Sequence, residues 1–175
     1  MNGNKTYVAF DSSGVIDHVN SNLSVFLQLR EWERQNPDRF HFVNMEEIEF
    51  SSEHDDLIDS TLKNRFLKLM ETADNLLVIS SKMTAVESPM LNWQISRAVN
   101  RFRLPVIVAY VGQEKVNDDT IKTEWNHLPN KIRKYIGRDS ANMVHIPLTK
   151  DKLERALGYF SARKEQYSLN STTIF

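Results

Sequence analysis

The sequence predicts an α/β fold in which a parallel sheet of about five strands carries helices on both faces. Short apolar runs rich in β-branched residues alternate along the chain with longer segments of helical spacing. The runs at 75–81 and 105–112 are almost wholly hydrophobic, which is typical of parallel strands covered on both sides. Since parallel strands are joined by right-handed crossovers, we expect a doubly wound, flavodoxin-like order.

Each element has its own signal. Strands are predicted at residues 5–11, 75–81, 105–112 and 142–148, with a weaker candidate at 40–45. Helices are predicted after a cap at Asn20 or Ser21, over residues 56–72 and 88–102, and along an apolar stripe from Leu153 to Phe160. The segment 88–102 begins with serine followed by proline, a strong helix start.

The chain of 175 residues fits one domain. No repeat or low-complexity linker divides it, so residues 1–168 are interpreted as a single domain. The polar stretch 113–126 is interpreted as a surface excursion. The tail 169–175 has no periodicity and receives no assignment.

Composition argues against several function classes. The net charge is -1 with both signs interspersed, which does not favour nucleic acid or an acidic membrane as a partner. The chain has no cysteine, and its five histidines show no ligand spacing, so we expect no metal site and no bound cofactor. Neither a signal peptide nor an apolar run of membrane-spanning length is evident, and we expect a cytoplasmic protein.

Ligands of such sheets bind beyond the carboxyl ends of the strands, where the strand order switches. Two familiar families with this architecture are excluded because the residues they require are missing. A phosphoacceptor receiver needs an aspartate where the strand at 75–81 ends in serines. A dinucleotide fold of the Rossmann type needs a G-x-G-x-x-G turn, and the turn after the first strand holds only Gly14.

The segment 75–112 resembles the TIR-like proteins of the Thoeris type of bacterial antiphage defence. That family has a hydrophobic strand ending in small polar residues, then a threonine, a serine, an aromatic residue with Glu-Ile on the next helix, an alanine, and a strand of the form P-[IV]-I-x-V. The matching residues here are Thr84, Ser88, Trp93, Ile95, Ala98 and 105–107. Residues 7–11 also look like the family's first strand and nucleotide-contacting turn, so the resemblance covers roughly residues 5–112.

The resemblance implies that NAD is the substrate and that position 94 is catalytic. Family members carry glutamate there, but this chain has Gln94. An anion stabilises the oxocarbenium-like sugar as the base leaves. Losing a charge pair worth about 4 kcal/mol would slow the reaction on the order of a thousandfold. The substrate-binding residues implied by the resemblance are Phe10, Asp11, Ser12, Asn44, Ser81 and Thr84.

Several interpretations of position 94 stay open. Gln94 is either a near-isosteric replacement of a natural glutamate, which we favour, or the natural residue of a protein that binds without turnover. A third interpretation makes it an ordinary helix residue, with a resemblance confined to the fold. Glu87 is a candidate replacement carboxylate, although a charged loop residue near a helix N-terminus is the simpler description. Trp93 is interpreted as packing.

The predicted function is therefore NAD cleavage at the nicotinamide–ribose bond, yielding an ADP-ribose-derived signal, cyclic or conjugated, for a separate effector protein. This chain would be an impaired form. Self-association or a phage-derived trigger is expected to control it. The alternatives are an enzyme resembling nucleoside deoxyribosyltransferases, which share the sheet and a carboxylate at a similar helix start, and a non-catalytic TIR-type interaction module.

Overall fold

A parallel sheet of six strands forms the centre of the molecule. The computed structural model describes residues 4–11, 22–45, 60–161 and 172–174. The strands are β1 (Lys5–Ala9), β2 (His41–Phe42), β3 (Asn75–Ser80), β4 (Val106–Tyr110), β5 (Met143–Pro147) and β6 (Thr172–Ile174). They lie in the order β2-β1-β3-β4-β5-β6, and every neighbouring pair is parallel. The predicted α/β class and parallel sheet are confirmed.

The described residues contain six α-helices between the strands. They are α1 (Leu23–Gln35), α2 (Ser60–Thr72), α3 (Pro89–Asn100), α4 (Asp118–Thr123), α5 (Asn130–Arg138) and α6 (Lys150–Tyr159), with a short 3-10 helix at Trp125–His127 between α4 and α5. Helix α3 begins as its sequence predicts. The Ser88 hydroxyl accepts a bond from the Leu91 amide (3.2 Å), and Pro89 occupies the first helical position.

The edges of the sheet differ from the predictions. The weak candidate at 40–45 is a strand only at His41–Phe42, because the side chain of Asn44 takes over the next pairing position on β1. At the opposite edge, residues 172–174 of the unassigned tail pair with β5 as strand β6. The excursion at 113–126 contains helix α4, which an Asn117–Thr120 capping box starts.

Helices cover the sheet closely enough to bury its central strands completely. Every residue of β3, β4 and β5 is buried. At the end of β1 the Phe10 ring makes edge-on contacts with Phe26 of α1 (6.2 Å between centroids) and Phe66 of α2 (5.6 Å). Phe10, the residue that follows β1, is therefore held by both of these helices.

The strand order places the switch point between β1 and β3. The chain passes from β1 to β2 on one side and then returns to β3 on the other. Crossovers diverge at such a point, and the carboxyl ends of the two strands border a natural crevice. None of the helices in the described ranges is long and apolar enough to cross a membrane.

Candidate functional site

A cleft opens at this switch point. Its walls come from the carboxyl ends of β1 and β3, from helix α1, and from the loop that leads into α3. The cleft contains about 360 Å³ of space when the open solvent at its mouth is included. The lining residues are Ala9, Phe10, Asp11, Asn22, Phe26, Ile79, Met83, Thr84, Ala85 and Leu91.

Three of the predicted substrate-binding residues line this cleft, namely Phe10, Asp11 and Thr84. Its walls are mostly apolar, and its polar lining residues are Asp11, Asn22 and Thr84. Of the lining residues, Asp11 alone is acidic. The predicted residue Ser12 lies outside the described part of the chain.

Hydrogen bonds fix the loop after β3. The Thr84 hydroxyl accepts a bond from the Ser81 amide (2.9 Å) and donates one to the Ile79 carbonyl (3.2 Å). The Ser81 hydroxyl in turn donates to the Asn22 side-chain oxygen (2.5 Å), which ties the loop to the start of α1. Ser81 therefore supports the loop but is not among the residues that line the cleft, whereas Thr84 both supports the loop and lines the cleft.

Gln94 lies behind the cleft and does not line it. Its side chain has no solvent exposure. The Oε1 atom accepts a bond from the Tyr7 hydroxyl (2.9 Å) and a longer one from the Phe10 amide (3.4 Å), while Nε2 donates to the Phe10 carbonyl (2.6 Å). We refer to this pairing of the Gln94 amide with the Phe10 peptide group as the Gln94 clamp. The catalytic role predicted for position 94 stays a prediction.

The Gln94 clamp requires an acceptor and a donor on the same side chain. An amide supplies both, but a carboxylate is an acceptor only. A charged glutamate at this position would turn an oxygen toward the Phe10 carbonyl and would lose the bond that Nε2 makes. The local geometry therefore suits glutamine.

Asn44 also acts on the backbone rather than in the cleft. It is fully buried, its Oδ1 accepts from the Val8 amide (3.0 Å), and its Nδ2 donates to the Val8 carbonyl. Beyond the end of β2, the Asn44 side chain thus makes the two hydrogen bonds to β1 that a neighbouring strand would make. Asn44 is not among the residues that line the cleft, and its predicted role at the rim of a binding site stays a prediction.

The sequence reasoning missed two kinds of residue. The sequence placed Tyr7 in the first strand and gave it no further role. A buried tyrosine hydroxyl needs a hydrogen-bond partner, and here that partner is Gln94. Asn22 and Phe26 line the cleft through tertiary packing, which no local pattern reveals. Glu87, the candidate replacement carboxylate, is exposed and lies outside the lining set.

A second polar group lies inside the sheet. His145 of β5 is fully buried, and its Nδ1 is 2.8 Å from the hydroxyl of Tyr110 on β4. Burial lowers the pKa of His145 to about 4 and raises the pKa of Tyr110 above its usual value, with the charge of Glu124 adding to the latter shift. Both side chains are uncharged at neutral pH. No cluster of three or more metal-ligating side chains occurs in the ranges the structure describes.

Sequence comparison gives one family match. The family model described as Thoeris protein ThsB, TIR-like domain, matches residues 7–116. This range runs from β1 past β4 and contains the cleft and the Gln94 clamp. A comparison with curated protein sequences gives no significant match.

Proposed function

The chain belongs to the family of TIR-like domains of the Thoeris protein ThsB, and from this membership we propose that it binds NAD in the cleft between β1 and β3 and cleaves the nicotinamide–ribose bond. The observation that carries the proposal is the cleft at the switch point of the sheet, which the matched family range encloses. Antiphage defence is the setting that the family indicates.

The lining of the cleft supports this choice of substrate. Apolar side chains such as Phe26, Ile79 and Leu91 offer walls for a flat aromatic ring. Asp11, Asn22 and Thr84 supply the polar atoms that ribose hydroxyls and a carboxamide need. A carboxylate at the mouth also suits the positive charge of a pyridinium ring.

Cleavage by this chain needs an anion that position 94 does not provide. The side chain there is an uncharged amide with every polar atom already bonded to protein. Unless another group stabilises the sugar cation, we expect turnover on the order of a thousandfold slower than with a carboxylate in contact. Binding of NAD depends less on this charge, because it concerns the ground state.

The released ADP-ribosyl group would become a signal, cyclic or conjugated, that activates a separate effector protein. We propose that self-association or a phage-derived factor starts the reaction.

The test combines a binding measurement with product analysis. Titration calorimetry with NAD should give saturable binding, and mass spectrometry after incubation should show nicotinamide with an ADP-ribose derivative. Ala85→Phe fills the cleft and should abolish both signals. Ala141→Leu is the control, because it adds bulk at a buried alanine away from the cleft. Base exchange with deoxynucleosides in place of NAD cleavage would contradict the proposal, as would the absence of NAD binding.

A further inference from the structure

We infer that Asp11 is the catalytic carboxylate of this chain and that Gln94 is a positioning residue that holds Asp11 at the cleft. The inference rests on the proposed function and deepens it, because it moves the essential charge from the helix α3 to the end of strand β1. It differs from the role that the sequence predicted for position 94.

The first step concerns access. A catalytic group must touch the reacting atoms, and Asp11 lines the cleft while Gln94 does not. Gln94 has no solvent exposure, and its side-chain amide is bonded to the backbone of Phe10. A charge restored at position 94 without rearranging Phe10 would be directed at the Phe10 backbone.

The second step concerns charge. Asp11 is the one acidic residue among those that line the cleft in the described structure. The candidate Glu87 is exposed and is not among them. The walls around Asp11 are mostly apolar, which strengthens an electrostatic interaction with a bound cation relative to water.

The third step concerns position. Asp11 directly follows Phe10, so its Cα is about 3.8 Å from that of Phe10. The Gln94 clamp holds the Phe10 peptide from one side, and the Phe10 ring packs edge-on against Phe26 and Phe66. Three elements, α1, α2 and α3, therefore fix Phe10, the residue that precedes the one with the carboxylate. This is the arrangement expected for preorganised electrostatic stabilisation.

The reaction balances with water as co-reactant. The bond between ribose C1′ and the pyridinium nitrogen breaks, and its electron pair stays on that nitrogen, so nicotinamide leaves as a neutral molecule. The Asp11 carboxylate faces the ribosyl cation that remains. Water adds to C1′ and loses a proton to solvent, which gives ADP-ribose; when a hydroxyl of the substrate adds instead, a cyclic product forms with loss of the same proton.

The experiment compares four variants of the full chain, with and without lysate from phage-infected cells. Asp11→Asn removes the charge at nearly constant shape, and Asp11→Glu keeps it. Gln94→Met removes the clamp bonds, and Gln94→Glu adds a charge at the position where the family carries one. NAD binding is measured by calorimetry, and nicotinamide release gives kcat and KM.

The inference expects specific results. Asp11→Asn should lower kcat on the order of a thousandfold with NAD binding within about tenfold, and Asp11→Glu should recover part of the loss. Gln94→Met should lower kcat with little change in KM, since it loosens the carboxylate without removing a ligand contact. Gln94→Glu should not raise kcat.

Other results would overturn it. A kcat of Asp11→Asn close to that of the parent chain, or a hundredfold gain in Gln94→Glu, refutes the inference and leaves the proposed function intact. NAD binding without nicotinamide release in the parent chain refutes the cleavage step of the proposed function, and the inference with it. Failure of the parent chain to bind NAD refutes the proposed function itself, and the inference with it.

Discussion

The side-chain amide of Gln94 forms hydrogen bonds with both the backbone N–H and the backbone C=O of Phe10. Nε2 donates to the Phe10 carbonyl over 2.6 Å, and Oε1 accepts from the Phe10 amide over 3.4 Å. The Tyr7 hydroxyl completes the coordination of Oε1 at 2.9 Å. Helix α3 is thereby hydrogen-bonded to Phe10, which follows β1 and precedes Asp11 in the cleft.

The clamp makes the stability of a Gln94→Glu variant depend on pH. A protonated glutamic acid can still donate to the Phe10 carbonyl, but the charged form cannot, and burial also disfavours the charge. The pKa of the new side chain should therefore lie above its unfolded value of about 4.3. Below about pH 4 the variant should be nearly as stable as the parent chain.

As the pH rises through the elevated folded-state pKa, the variant should lose about 3 kcal/mol, the equivalent of about two pH units between the folded and unfolded pKa values. Urea unfolding between pH 4 and pH 8 measures this. Gln94→Met is the matched control, because it loses the same bonds without a titrating group and should show a constant deficit. A Gln94→Glu variant that is equally stable at both pH values would contradict the role assigned to the clamp.

Asn44 should matter for stability more than for NAD binding. Its amide satisfies both the N–H and the C=O of Val8 where β2 has already ended. Asn44→Ala leaves two buried backbone groups without partners, at about 1–3 kcal/mol each. We expect a loss of about 3 kcal/mol in urea unfolding, with NAD affinity unchanged in the folded fraction.

Asn44→Asp provides the comparison. It keeps the acceptor for the Val8 amide and loses only the donor to the carbonyl, so it should be less stable at neutral pH than in acid, where the side chain can donate again. A large change in NAD affinity in either variant would return Asn44 to the binding site that the sequence predicted.

The fold was predictable because its signals are local. The central strands show as continuous apolar runs since both of their faces are covered, and Ser88-Pro89 marks the start of α3 through its own hydrogen bond. The short edge strands were harder. The pairing of His41–Phe42 with β1 and of Thr172–Ile174 with β5 depends on tertiary contact, and two or three residues carry no periodicity.

The site was predictable only in part. Phe10, Asp11 and Thr84 were predicted from the resemblance, they follow the carboxyl ends of strands where ligands of such sheets bind, and all three line the cleft; their role in substrate binding stays a prediction. The orientation of the Gln94 side chain could not be predicted from the sequence, since a position on a helix does not show which neighbouring residue the side chain contacts. The clamp depends on β1 and α3 lying side by side, which is a tertiary arrangement and not a local one.

The Thr84 hydroxyl should influence NAD binding through the shape of its loop. It bridges the Ser81 amide and the Ile79 carbonyl at the end of β3. Thr84→Val keeps the side-chain shape but removes these bonds, each worth about 1 kcal/mol. Since 1.4 kcal/mol is a factor of ten, we expect a Kd for NAD about tenfold higher.

Thr84→Ser retains the hydroxyl and should bind NAD nearly as the parent chain does. Calorimetric titration of the two variants side by side is the measurement. Equal affinities for Thr84→Val and Thr84→Ser would show that the hydroxyl has no part in the binding geometry.

The buried His145 should make the protein sensitive to acid. Its pKa is lowered from 6.5 to about 4 because burial penalises the charged imidazolium. Well above pH 6.5 the ring is neutral in both the folded and the unfolded chain, so its titration does not change the free energy of unfolding. Between pH 6.5 and pH 4 the unfolded chain takes up a proton that the folded chain does not, so stability falls by about 3 kcal/mol over this range.

Removing the histidine should flatten this part of the pH profile. The double variant Tyr110→Phe, His145→Phe replaces the hydrogen-bonded pair with two rings and leaves neither partner unsatisfied. Tyr110→Phe alone is the control, because it keeps the titrating ring and should retain the steep decline. Urea unfolding at half-unit steps from pH 7 to pH 4 separates the two. If the double variant lost stability as steeply as Tyr110→Phe, the acid sensitivity would have to come from groups other than His145.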